Sequence, residues 1–131
     1  MNERIWIGFA ALAGALAAGA DVAFRHLVTD PYRVDLGMIA SRFGIYHALA
    51  LIGVALLRQR PLPNTAQWLL AVAAWCFVVG EGTFCLPLYL IGAGIAGWSG
   101  RLIVPGLVVL LVGWLALFAH VLVPRGGRPD G

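Results

Sequence analysis

The chain carries four apolar runs, each close to the ~20 residues a helix needs to cross the ~30 Å hydrocarbon core of a bilayer. They cover about residues 5–27, 31–57, 66–94 and 102–123. No other feature narrows the fold as much. Backbone surrounded by lipid must satisfy its own hydrogen bonds, and runs of this length do so as helices. Composition agrees: of 131 residues, 61% are hydrophobic and 11% charged, against about a quarter charged in a soluble domain. A soluble protein of this size has too little interior to hide so much apolar surface. The reading is therefore all-α: a polytopic membrane protein with a four-transmembrane-helix bundle over residues 1–124 and a polar tail at 125–131. A soluble globular domain, a disordered chain and a nucleic-acid binder are excluded. The net charge of +3 comes from nine basic residues, all Arg, against six acids. Excess Arg is common in the loops of membrane proteins.

The connections carry local signals. Thr29 or Asp30 before Pro31 reads as a cap followed by Pro at the first helical position. Arg58, Arg60, Pro61 and Pro63 make a tight polar turn. Pro87 should kink or interrupt the third helix and free the carbonyl of Thr83 to line a pocket with Cys85. Small residues on the first helix, Gly14 with Ala18 and Ala15 with Gly19, have the spacing that lets helices approach closely inside a bundle. Trp6, Trp68 and Trp98 lie near run ends and read as interfacial anchors. Arg4, Arg58, Arg60, Arg125 and Arg128 fall on one side of the membrane, and Arg25, Arg33 and Arg101 on the other. That bias places both termini in the cytoplasm. Cys76 and Cys85 lie ~13 Å apart along a helix axis, too far for a disulfide.

Ionisable residues at membrane depth are costly and usually face a bundle interior or a cavity. With a 1.5 Å rise per residue, Asp21, Arg42 and Glu81 come to one level, ~22–24 Å above the inner face of the core. Tyr46 and His47 sit about one turn lower. This predicts an intramembrane cluster of Asp21, Arg42 and Glu81 with Tyr46 and His47 beneath it. Either it clamps the helices in register, or it binds a proton, a quinone headgroup or a small polar ligand. The competing arrangement pairs Asp21 with Arg25 one turn on, at the water interface. Glu81, Cys85 and Tyr89 fall four apart on one face of the third helix and read as an interhelical stripe. His26 and His120 read as interfacial. His47 and His120 differ by ~13 Å in depth, which disfavours bis-His haem ligation. No metal motif appears, and no cofactor is expected.

Several stretches resemble a known family. Gly14-Ala15-Leu16 and His26-Leu27 look like its Gly/Ala-rich first helix ending in a His. Tyr46-His47-Ala48-Leu49-Ala50-Leu51 is similar to its YHALAL stretch. Gly80, Phe84, Leu88 and Tyr89 match its third-helix pattern, and Pro105-Gly106 with Gly113-Trp114 is similar to its ending. The family is the bacterial group of small four-helix membrane proteins called domain of unknown function 423, related to eukaryotic transmembrane protein 256. The resemblance covers roughly residues 5–120. It implies a four-helix fold in a bacterial inner membrane and brings no activity. Cys85-Leu86-Pro87 replaces the family's Ser-Gly-Ser, and Asp21, Arg42 and Glu81 lie outside the pattern.

The leading expectation is a non-enzymatic, small integral inner-membrane protein that packs in the lipid bilayer with a larger membrane protein complex. The alternatives are a transporter or proton-relay element, or a membrane enzyme binding a lipid or quinone, built on Asp21, Arg42, Glu81 and His47. A cavity reaching those residues favours the alternatives. A dry cluster with every charge paired favours the first.

Overall fold

A computed structural model describes residues 3–95 and 98–124. The expected tail at 125–131 and the side chain of Trp98 lie outside the described residues. The elements are α1 (Glu3–Leu27), α2 (Pro31–Arg58), α3 (Asn64–Gly92) and α4 (Ile103–Val121), with a short 3₁₀ turn (Trp98–Leu102) before α4. All four long helices are long and apolar enough to cross a membrane. Among the described residues there is no strand.

Local chemistry sets the helix ends. Asp30 caps α2: its carboxylate accepts from the backbone N–H of Tyr32 at 2.9 Å and of Arg33 at 3.4 Å, with Pro31 in the first turn. Such a cap satisfies donors that the first turn leaves orphaned. The α2–α3 turn is clasped both ways. Arg58 Nη1 donates to the Gln67 carbonyl at 2.9 Å, while Gln67 Nε2 donates to the carbonyls of Arg58 and Arg60. At the far end of α3, Gly94 takes a φ of +78°, a left-handed conformation that glycine adopts without strain. There Arg33 Nε donates to the Gly92 carbonyl at 2.8 Å, fastening α2 to the end of α3.

The middle of the bundle is α2 against α3. Leu51, Val54 and Ala55 pack with Leu70, Ala73, Ala74 and Phe77, all without solvent exposure. α1 lies mainly on α2 and α4 mainly on α3. Trp6 reaches α3 edge-to-face with Trp75, ring centroids 5.1 Å apart. Trp6 is therefore a core residue rather than an interfacial anchor, whereas Trp68 is exposed near the start of α3. The small residues of α1 that face inward are Ala10, Gly14 and Ala17. Ala15, Ala18 and Gly19 point out, so the expected pair Gly14–Ala18 straddles two faces and the pair Ala15–Gly19 lies on the outer one. α3 runs unbroken through Pro87. Thr83, whose carbonyl Pro87 cannot bond, backs onto α4: a Cβ at Gly106 would fall 2.6–2.8 Å from Thr83 and Phe84 atoms. Only a residue without a side chain permits that approach, and the freed carbonyl lies away from the Cys85 side of α3. Glu3 and Val121 lie at one end of the bundle, here called proximal. The α1–α2 and α3–α4 connections lie at the distal end.

Candidate functional site

α2 and α3 run antiparallel, with Gly44 facing Glu81 and the His47 ring 5.5 Å from that of Phe77. A lateral groove lies on each side of this pair. One, about 360 Å³, separates α1 from α3 and is lined by Ala13, Ala17, Glu81, Cys85 and Tyr89, with Leu16 and Leu86 on its exposed rim. The other, about 580 Å³, separates α2 from α4 and is lined by Phe43, Tyr46, His47, Leu107, Leu111 and Trp114.

Glu81 occupies the first groove three residues past the middle of α3, about 5 Å along the axis. Only 9% of it is exposed. Its Oε2 has no hydrogen-bond partner, and no basic side chain pairs with it among the described residues. Gly44 makes the room: a Cβ there would sit 3.0 Å from Ala17 Cβ, 3.3 Å from Glu81 Oε1 and 3.7 Å from the Tyr89 hydroxyl. One turn toward the distal end comes the buried, reduced thiol of Cys85. Another turn on, the Tyr89 hydroxyl donates to Ser41 Oγ at 3.3 Å, and Ser41 donates to the Gly37 carbonyl at 2.9 Å. Phe24 stacks on Tyr89 and closes that end, centroids 6.0 Å apart. The polar row is thus complete at Tyr89 and open at Glu81. An unpaired buried carboxylate is strongly disfavoured. Glu81 is stable there only as the neutral acid, or with a donor or cation brought by something outside the chain.

His47 in the second groove is the opposite case. Its Nδ1 lies 2.7 Å from the Phe43 carbonyl, and its Nε2 lies 3.2 Å from Trp114 Nε1. An indole N–H only donates and a carbonyl only accepts. The imidazole is therefore neutral, with its proton on Nδ1 and Nε2 accepting from Trp114. Phe43, Phe77 and Trp114 surround the ring. Both nitrogens are used, so His47 holds α2 to α4.

The expected cluster of Asp21, Arg42 and Glu81 does not form. Asp21 accepts from Arg25 Nε at 2.9 Å on the exposed side of α1. Arg42 and Tyr46 face outward from α2. The cause is helical phase: Arg42 is two residues from Gly44, about 160° around the helix from the position that faces Glu81. Tyr46 lines the α2–α4 groove, so neither it nor His47 lies beneath Glu81. His26 is exposed, whereas His120, in the last turn of α4, is buried, with Nδ1 2.7 Å from the Leu117 carbonyl. Glu81, Cys85 and Tyr89 do share one groove. Sequence reasoning passed over three residues that matter: Ser41, Gly44 and Trp114. Gly44 and Ser41 fall four and seven residues from Ala48 on one face of α2, a small-residue pattern that could have drawn attention to them. Nothing in the sequence pairs Trp114 with His47. Among the described residues, no group of three His, Cys, Asp or Glu could hold a metal ion.

A family model described as "Protein of unknown function (DUF423)" matches residues 13–106. The chain belongs to this family. The matched stretch of this DUF423 chain holds Ala17, Ser41, Gly44, His47, Glu81, Cys85 and Tyr89, while Trp114 falls beyond it. No solved structure matches the chain.

Proposed function

We propose that this protein binds a lipid-borne molecule in the groove between α1 and α3, with Glu81 holding its polar head. The observation that carries this reading is the unpaired Oε2 of Glu81, buried near mid-span in an apolar groove with an exposed rim. A ligand with a hydroxyl or amine donor supplies what the carboxylate lacks, and a hydroquinone is of this kind. A quinone carbonyl only accepts, so it fits only the neutral acid. The apolar walls suit the ligand's hydrocarbon part. With no charged partner for Glu81, binding is favoured over a fully paired structural clamp.

The test is to purify the wild-type chain and Glu81→Leu in mild detergent and identify the small molecules that each retains by mass spectrometry. A near-stoichiometric apolar molecule bearing a donor group, present in the wild type and lost in the variant, is expected. The same complement in both would overturn the reading.

A second reading is an accessory role in a larger membrane complex. Gly8, Ala11, Ala15 and Ala18 are exposed at steps of three and four along α1, the kind of surface on which another transmembrane helix packs closely. Ala15→Phe should release such a partner and leave the α1–α3 groove intact. A proton-relay role rests on the same Glu81 and predicts proton flux that Glu81→Leu abolishes. In either reading the protein sits in a bacterial inner membrane with the proximal end cytoplasmic, since Arg4, Arg58 and Arg60 lie at that end and the sequence after α4 carries Arg125 and Arg128.

A further inference from the structure

Arg42 lies within the apolar stretch of α2, on its outer face. Positions 32, 35, 39, 42, 46, 49 and 56 are exposed and recur at steps of three, four or seven, so they form one stripe along the helix. Tyr32 and Asp35 stand at its polar end. From Ile39 onward the stripe is apolar except for Arg42 and the Tyr46 hydroxyl. The change between Asp35 and Ile39 marks where α2 enters hydrocarbon, because the ~20 residues from Gly37 to Leu57 cover ~30 Å. Arg42 then lies ~7 Å inside that boundary. Long side chains on a helix run back toward its N-terminus, which carries the guanidinium toward the headgroup layer and toward Asp35. Such snorkelling is how an isolated Arg is tolerated near a helix end.

Neither Arg42 nor Asp35 forms an ion pair among the described residues. Asp21 is taken by Arg25, Asp30 caps α2, and Glu81 lies on another face. Arg42 is only about 20° and 40° around the helix from Leu49 and Tyr46, which line the α2–α4 groove. The stripe therefore stacks a carboxylate at the surface, a guanidinium below it and an apolar groove below that.

We propose that this face binds an aminophospholipid. Its phosphate sits on Arg42, its ammonium on Asp35, and one acyl chain lies in the groove against Leu107 and Leu111. The order matches the lipid, in which the phosphate lies deeper than the ammonium. An acidic lipid without an amine, such as phosphatidylglycerol, would bring no cation to Asp35, and a choline headgroup has no N–H to donate. A second copy of the chain fits poorly, since a parallel self-contact along the stripe sets Arg42 against Arg42.

The test uses the full chain, delipidated and returned to nanodiscs of phosphatidylethanolamine, phosphatidylcholine or phosphatidylglycerol, with retained lipid read by native mass spectrometry. Phosphatidylethanolamine should be held at least about fivefold more tightly than the other two. Arg42→Gln should remove that retention, Asp35→Asn should erase the preference over phosphatidylcholine, and Leu111→Trp should displace the chain. Arg42 and Asp35 are exposed, so their variants should fold; circular dichroism checks this. Three results would overturn the proposal. One is unchanged retention in Arg42→Gln. Another is phosphatidylglycerol held as tightly as phosphatidylethanolamine. The third is disulfide-linked dimers of Ile39→Cys, which would put a second copy on this face.

Discussion

The two grooves contain the two buried polar residues of most interest, and they treat them in opposite ways. His47, between α2 and α4, spends both ring nitrogens on this chain's own groups and is packed by Phe43, Phe77 and Trp114. Glu81, between α1 and α3, has an oxygen with no partner, and Gly44 opposite it leaves space. A satisfied buried polar group fixes how helices sit. An unsatisfied one costs stability, and such costs concentrate at functional sites. Burial alone would rank the two residues together; their hydrogen bonds separate them.

The contrast can be broken by substitution. The largest effect expected is from His47→Ala, which opens a cavity among three aromatic rings and strands the Trp114 N–H. It should lower unfolding free energy in detergent by about 3 kcal/mol, read by thermal or denaturant melting. Trp114→Phe keeps one aromatic ring in place while removing the donor to His47 and the five-membered part of the indole. It should cost about 1 kcal/mol, in the range of single interhelical hydrogen bonds in membranes. If it costs as much as His47→Ala, packing rather than hydrogen bonding decides that groove. Glu81→Leu should be neutral or stabilise by up to about 1 kcal/mol, because it replaces an unpaired acid by an apolar side chain of similar volume. The smallest effects belong to the exposed charges. Asp21→Asn and Arg42→Gln should each stay within about 0.5 kcal/mol of wild type in detergent. A large loss in Arg42→Gln would restore the idea of a buried charge cluster.

Much of the architecture was legible from the sequence because membrane helices announce themselves by length and apolarity. The α2 start was legible as well, since Asp30 and Pro31 act locally. The polar site was only half legible. Counting 1.5 Å per residue brought Asp21, Arg42 and Glu81 to similar depths, but depth says nothing about direction. Two residues separate Arg42 from Gly44, and that rotation sends one to lipid and the other to Glu81. The near-uniform apolarity of α2 and α3 gives no strong periodicity from which to read the inward face. The Asp21–Arg25 pair was readable as a local contact at i and i+4. The Trp114–His47 bond joins residues far apart in the chain, and only the folded bundle brings them together.

The most direct measurement puts the same substitution in both grooves. His47→Leu and Glu81→Leu would be melted side by side in one detergent against the wild type. The account predicts that His47→Leu melts several degrees lower, while Glu81→Leu melts at or above wild type. A fall in Glu81→Leu as large as that in His47→Leu would contradict it, because Glu81 would then be holding the bundle together.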